Sequence, residues 1–266
     1  MTVCIAAISE NNKIVAVTDK MLTLERPVAT TFEITDNNKV AKLTEKTLAL
    51  FAGDVINANE ILKKAQAKLG EEHKKSVLDV ANAVRDAFSE HWESVVSNYL
   101  FMRYRLNLED FTRNQGSFDP ALIKQINELI SQFTINVQFI VAGVDNDDSP
   151  RIYTLDNTGS VVEQTPIGYS CIGSGEIHAT LSLIESEYTE SMSKAEALYA
   201  LLEAKKRAEY DPGVGEHCDI AVVDGGFNQC PQEKVGEILQ IFEKSRSSIK
   251  NVKQKHHKEL AEVKDV

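Results

Sequence analysis

The sequence predicts an α+β protein in which antiparallel sheets carry a helical layer on each outer side. Three observations predict it. Short β-branched runs come in pairs joined by polar turns, as hairpins do. Longer stretches with apolar residues at three- and four-residue spacing come two at a time. The two kinds alternate in the order strands, two helices, strands, two helices, strand, with no internal repeat or low-complexity linker between them. That order predicts a single domain over 1–248, with a charged tail over 249–266.

TVCIAAIS and KIVAVTD flank the polar SENN and read as a hairpin. TTFEIT, KVAKL and TLALFAG follow as short strands separated by DNN and TEK. VINANEILKKAQAKL is an amphipathic helix that stops at Gly70, a residue suited to a helix C-terminus. The stretch from Ser76 to Leu106 repeats the helical spacing over a long reach. The segment 107–132 looks added: NLEDFTRNQGSFDP is turn-rich, and ALIKQINELISQF is one more amphipathic helix. INVQFIVAGVD, RIYTLD and IGYSCIGSG resume the strands, with DNTGS as a tight turn. HATLSLIESEY and SKAEALYALLEAKKRAEY are helices, the second opened by Ser193 and Glu196 at capping-box spacing. DPGVGEH breaks that helix and CDIAVVD is a buried strand. From Pro231 the tail is amphipathic at first and then charged.

The composition excludes several classes. A formal net charge of −11 over 266 residues gives no generic attraction to nucleic acid or anionic membranes. No segment approaches the roughly 20 apolar residues of a membrane span. The opening is too short in its apolar run, and lacks the basic start, of a secretory signal. Cys4, Cys171, Cys218 and Cys230 form no CxxC pair, so reduced thiols in a cytoplasm are the expectation. His256 and His257 lie in KNVKQKHHKELAEVK, a solvated helix face. Neither a metal nor a cofactor is expected.

The chain's first strand begins at its second residue, where termini ordinarily fray. Removal of Met1, which a small second residue permits, would leave Thr2 carrying both a hydroxyl and a free α-amine. An α-amine titrates at about 7.7–8.0, so near neutrality it can take the hydroxyl proton directly or through a water. A lysine cation beside this pair would lower both proton affinities. The lysine needs a carboxylate, because an unpaired buried charge is costly, and the tetrahedral intermediate needs a backbone N–H. Asp19 closing KIVAVTD, Lys39 opening KVAKL and Gly53 in LALFAGD are candidates for those parts. Each also has a plain structural role: turn residue, solvated strand edge and helix start.

The series TVCI, VAVTDK, KVAKL, LALFAGDVINANEI, FIVAGVD, RIYTLDNTGSV, CIGSG and YDPGVGEHCDIAVVD resembles a proteasome β-type subunit over roughly 2–104 and 135–230. That family belongs to the N-terminal nucleophile (Ntn) hydrolases. The resemblance implies a four-layer αββα sandwich of two antiparallel sheets between helical layers. It implies Thr2 as nucleophile with its freed amine as base, Asp19 paired to Lys39, and Gly53 lining the oxyanion hole. It also implies Ser174 near the threonine amine, Asp211 in the loop after the last long helix, and Thr23 as a substrate-backbone contact. Peptide or protein substrates and a homo-oligomeric ring follow from the same resemblance. The segment 107–132 has no counterpart in a standard β subunit.

One departure stands out. The family usually carries Ser-Gly a few residues after the aspartate, whereas this chain reads Asp-Pro-Gly-Val-Gly. Val214 cannot hydrogen-bond, so the network near Ser174 and Asp211 is incomplete or rebuilt, with Glu216 or His217 available. Aligning Thr2 also needs one extra residue in the first hairpin. The resemblance therefore implies a threonine-type amide hydrolase, an endopeptidase by family, and keeps three alternatives open. These are a catalytically inactive ring or scaffold subunit, a transpeptidase in which an amine resolves the acyl-enzyme, and a small-molecule amidase.

Overall fold

A strand that is apolar on both faces needs cover on both, and β1 (Cys4–Ser9) shows how this chain supplies it. Val3, Ile5 and Ala7 face one hydrophobic core, while Cys4, Ala6 and Ile8 face another. The computed structural model describes residues 2–24, 30–33, 39–70, 75–102 and 105–261, with side-chain surroundings for all of these except 23–24, 30–33 and 258–261.

β1 forms a tight hairpin with β2 (Lys13–Asp19), and Asn11 and Asn12 turn it in the left-handed region at φ 57° and 59°. Asparagine tolerates that backbone better than most side chains. β10 (Tyr169–Ile172), β11 (Cys218–Val223) and β12 (Phe227–Gln229) complete one antiparallel sheet in the order β10-β1-β2-β11-β12. The second is also antiparallel. It joins β5 (Val40–Thr44), β6 (Thr47–Gly53), β7 (Val137–Val144), β8 (Pro150–Leu155) and β9 (Val161–Glu163) in sequence order. β3 (Met21–Leu24) and β4 (Thr30–Glu33) make a separate ribbon.

Three cores stack these layers. Ala6, Ile8, Ile14 and Ala16 meet Leu48, Leu50, Ile140 and Ile152 between the sheets. α1 (Val55–Leu69) and α2 (Val77–Val96) pack on the second sheet through Ile61, Val80, Val84 and Phe88 against Phe51, Phe139 and Val141. α5 (Glu176–Glu185), α6 (Lys194–Ala208) and the start of α7 (Gln232–Ala261) cover the first sheet through Leu183, Leu201 and Phe242. This is the predicted αββα sandwich. Side-chain caps fix the helix starts: Asp54 accepts from Asn57 N–H at 2.8 Å, and capping boxes open α2 and α6.

Two local differences from the sequence reading have simple causes. The turn-rich stretch after Asn107 contains a short helix, α3 (Leu108–Arg113), because Asn107 caps Asp110 N–H at 2.7 Å and Phe111 is buried. α3 and α4 (Pro120–Gln132) pack on the end of α2 around Phe101 and Phe111. α7 continues as one helix of 30 residues through position 249, where the sequence loses its apolar face. Among the described residues no helix is long and apolar enough to cross a membrane.

Candidate active site

The open end of the β1–β2 hairpin gathers the polar residues. Asp19 N–H donates to Val3 C=O at 3.1 Å, extending the ladder past its last regular pair, Cys4 with Thr18. Asp19 is fully buried, and every oxygen of its carboxylate is engaged. Oδ1 accepts from Val3 N–H at 2.9 Å, from Lys39 Nζ at 2.7 Å and from the Thr2 hydroxyl. Oδ2 accepts from the amides of Met21 and Gly215, both at 3.0 Å. A buried anion held by five donors is not left uncompensated.

Lys39 stands directly before β5 and is 2% exposed. Its carbonyl accepts from Phe51 N–H at 3.3 Å, which ties the residue to β6. Its ammonium donates to both Thr2 Oγ1 and Asp19 Oδ1. Thr2 is likewise 2% exposed. Its N–H donates to Ser174 Oγ at 3.2 Å, and its carbonyl accepts from Gly175 N–H at 3.1 Å. Thr2, Asp19, Lys39 and Ser174 thus form one contact set drawn from three strand ends and a turn.

The other predicted residues lie outside this contact set. Gly53 closes β6 at φ +108°, and a side chain there would lie 2.0 Å from Asn136 O, so only glycine fits. Its nearest neighbours are the Asn136–Val137 backbone. Asp211 Oδ1 accepts from Gly213 N–H at 2.7 Å and its carbonyl from Val214 N–H at 3.0 Å. It shapes its own loop and makes no hydrogen bond to Thr2 or Ser174 among the described residues. Thr23 pairs with Thr31 in the β3–β4 ribbon, and its side chain lies outside the described residues.

Val214 is buried and packs with Val3 and Ala208, where the bare Gly175 leaves it room. Glu216 and His217 are exposed. The Glu216 carbonyl accepts from the buried Lys205 ammonium, which also pairs with Glu209 at 2.7 Å. Sequence reasoning missed Gly215, whose amide holds Asp19, and Gly173, which lies against Thr2 at φ +97°. The repeated glycines of GSG and GVG were the available signal. It also missed Cys4, fully buried behind Thr2, with its thiol donating to Phe51 C=O at 3.1 Å. Burial pushes that thiol far up and the nearby Lys39 only partly offsets it, so it stays neutral. All four cysteines are free. Among the described residues no three His, Cys, Asp or Glu side chains converge as metal ligands.

A hydroxyl held between an ammonium and a carboxylate is chemically a candidate nucleophile. Comparison with known proteins bears on the family. The proteasome subunit family model matches residues 97–223, a stretch that includes Ser174 and Asp211 and excludes Thr2, Asp19, Lys39 and Gly53. A proteasome subunit beta of Methanopyrus kandleri is 38% identical over 106 residues, 39% of this chain and 48% of the relative. One from Haloquadratum walsbyi is 31% identical over 165 residues, 61% of this chain and 63% of the relative. Proteasome subunit beta 2 of Ignicoccus hospitalis is 29% identical over 189 residues, 69% of this chain and 82% of the relative. The chain thus spans 48% and 63% of the length of the first two. The αββα sandwich and these similarities together support a proteasome β-subunit-like chain with the Ntn hydrolase fold.

Proposed function

We propose that this protein is a threonine-type amide-bond hydrolase, an endopeptidase acting on peptides or proteins, with Thr2 exposed by removal of Met1. One observation carries the reading: the Thr2 hydroxyl contacts both Lys39 Nζ and Asp19 Oδ1 in a buried site. In the processed chain the nitrogen that now donates to Ser174 becomes the α-amine. It takes the hydroxyl proton as Oγ1 attacks the substrate carbonyl, and Lys39 stabilises the developing alkoxide. The Gly53 amide binds the oxyanion. Collapse expels the amine, which recovers the proton from the α-ammonium, and water then hydrolyses the Thr2 ester. An amine in place of that water would give transpeptidation through the same acyl-enzyme.

The relatives are proteasome subunits by name, which supports assembly with further subunits; a homo-oligomeric ring, peptide or protein substrates and a cytoplasmic location are further parts of the proposal. Residues 1–248 form the hydrolase domain in this reading, with 107–132 as its insertion and 249–266 as its tail. The second reading is an inactive ring subunit, and Val214 favours it, since an apolar side chain there carries no proton.

The test is the intact mass of the full chain purified from its own cells, before and after a threonine-reactive epoxyketone or β-lactone. Loss of one methionine and a single adduct abolished by Thr2→Ala is the expected result. Retained Met1 with no adduct would establish the inactive subunit instead.

A further inference from the structure

The chain buries a second lysine–aspartate pair, which the proposed chemistry leaves unused. Lys20 directly follows Asp19 and is 3% exposed; its Nζ lies 3.1 Å from Asp219 Oδ1. Asp219 in β11 is 1% exposed and also accepts from Gln232 Nε2 at 2.5 Å. The register sets Asp219 opposite Thr18, and Thr18 opposite Cys4. Residues opposite one another share a face, and Cys4 looks into the core between the sheets. The Asp19–Val3 bond carries the same register one step further, to Thr2 opposite Lys20. The candidate nucleophile and this lysine therefore occupy facing positions at the open end of the ladder.

The layer is buried, with Thr18, Asp219, Lys20 and Lys39 each at most 3% exposed. Thr18 Oγ1 and Asp219 Oδ2 are buried without a hydrogen-bond partner among the described residues. In such surroundings a charge is felt strongly by its neighbours. The groups facing Asp219 are Lys20 after β2, Lys39 before β5, Gln232 on α7, the Thr18 hydroxyl and the neutral Cys4 thiol. Burial pushes the Asp219 carboxyl up, while Lys20, Gln232 and the more distant Lys39 draw it back. Two ammonium groups, Lys20 and Lys39, and two carboxylates, Asp19 and Asp219, thus sit together with no net charge.

We propose that the Lys20–Asp219 pair sets the charge around Thr2, with Asp219 a positioning residue that acts through Lys20. The inference rests on Thr2 being the nucleophile and its amine the base. Neutralising Asp219 removes one negative charge from the buried layer that holds that amine, which then loses its proton at lower pH. Neutralising Lys20 leaves an uncompensated anion and has the opposite effect. Neutralising both restores the balance.

The experiment measures, by mass spectrometry on the full chain, the pH dependence of epoxyketone addition to Thr2. It compares the natural protein with Asp219→Asn, Lys20→Met and the double variant. Asp219→Asn should move the acid limb down by about half to one pH unit, which below the limb is roughly a three- to tenfold faster addition. Lys20→Met should move it up by a similar amount, and the double variant should return near the natural position. A merely structural pair would lower the melting temperature of both single variants and leave the limbs in place, which would overturn the proposal. If Asp219→Asn does not fold, Lys20→Met decides alone, since its limb must rise. Thr2 adducts that Thr2→Ala abolishes, with unmoved limbs, sink this inference but not the hydrolase reading. No Thr2 adduct on the natural protein at any pH sinks both.

Discussion

Gly173 gives the most direct test of how tightly Thr2 is held. It adopts φ +97°, and a Cβ built there lies 2.3 Å from Thr2 O and 2.9 Å from both Thr2 C and Thr2 Cγ2. Gly173→Ala therefore incurs two costs. Holding a side-chain-bearing residue in that backbone region costs about 1–3 kcal/mol. Forcing a methyl into packed surroundings costs about 1–3 kcal/mol more, because the nearest opposing atom, Thr2 O, is main chain and cannot rotate away. The sum is about 2–6 kcal/mol. At an unfolding entropy of about 2.1 cal/mol/K per residue, a chain of 266 residues loses about 4–11 °C in Tm. Gly225→Ala is the control: it has φ +71° and nothing within 4 Å of its added methyl, so it carries the backbone cost alone. Calorimetry on both variants separates the contact from the strain. Addition of the epoxyketone to Thr2 reports the displacement, since an ångström of misplacement costs on the order of 100-fold in rate. A Gly173→Ala protein as stable as Gly225→Ala, with its labelling rate intact, would refute the packing of Thr2 on this turn.

Lys39→Met should slow Thr2 labelling by at least about 100-fold and destabilise by about 3 kcal/mol, the low end for a broken buried pair. The low end applies because Asp19 keeps its amide bonds from Val3, Met21 and Gly215; urea titration beside mass spectrometry checks both numbers. Val214→Ser should cost about 1–3 kcal/mol for burying a hydroxyl among Val3 and Ala208 and leave Thr2 labelling unchanged. A faster rate would show that a side-chain hydroxyl at 214 had been missing from the proton route. Burial pushes the Cys171 thiol from 9.0 up to about 12, so at alkaline pH the unfolded chain ionises first. Stability is full below pH 9 and falls toward 12, by about 1.4 kcal/mol per unit for this thiol. Urea midpoints at pH 8 and 10 for the natural protein and Cys171→Ala should show a shallower fall in the variant; equal slopes would refute the assignment.

The parts of the fold legible in the sequence are those whose burial leaves a mark in residue type. β1, β2, β6 and β7 are covered on both faces, so they read as unbroken apolar runs. β9 is three largely exposed residues, and the sequence reading names no strand between DNTGS and IGYSCIGSG. α3 was hidden because its cap and only one buried side chain make six residues helical inside a turn-rich stretch. The far half of α7 lacks an apolar face, so periodicity offered nothing to follow there. At the site, Thr2, Asp19 and Lys39 were visible because polar residues at the ends of buried strands need a reason. The amides of Val3, Met21 and Gly215 were not, since every residue but proline has an N–H and the sequence alone cannot say where it points.

That distinction recasts the departure at Val214. Judged by side chains alone, an apolar residue in place of a serine leaves a hole in a polar network. The loop's contact with Asp19 instead comes from the neighbouring main chain, where Gly215 N–H holds Oδ2 at 3.0 Å. Holding Oδ2 orients the carboxylate so that Oδ1 meets Lys39 and the Thr2 hydroxyl. The loop keeps its place through two anchors that serine chemistry does not require. One is the Lys205 ammonium on the Glu216 carbonyl, and the other is the packing of Val214 with Val3 and Ala208. Val3 is bonded to Asp19 through its own amide, so the apolar contact at 214 and the polar contact at 215 brace the same carboxylate. A hydroxyl at 214 would trade the first brace for a hydrogen bond that Asp19 no longer needs. The valine is therefore compatible with a working nucleophile, provided the freed amine itself carries the proton.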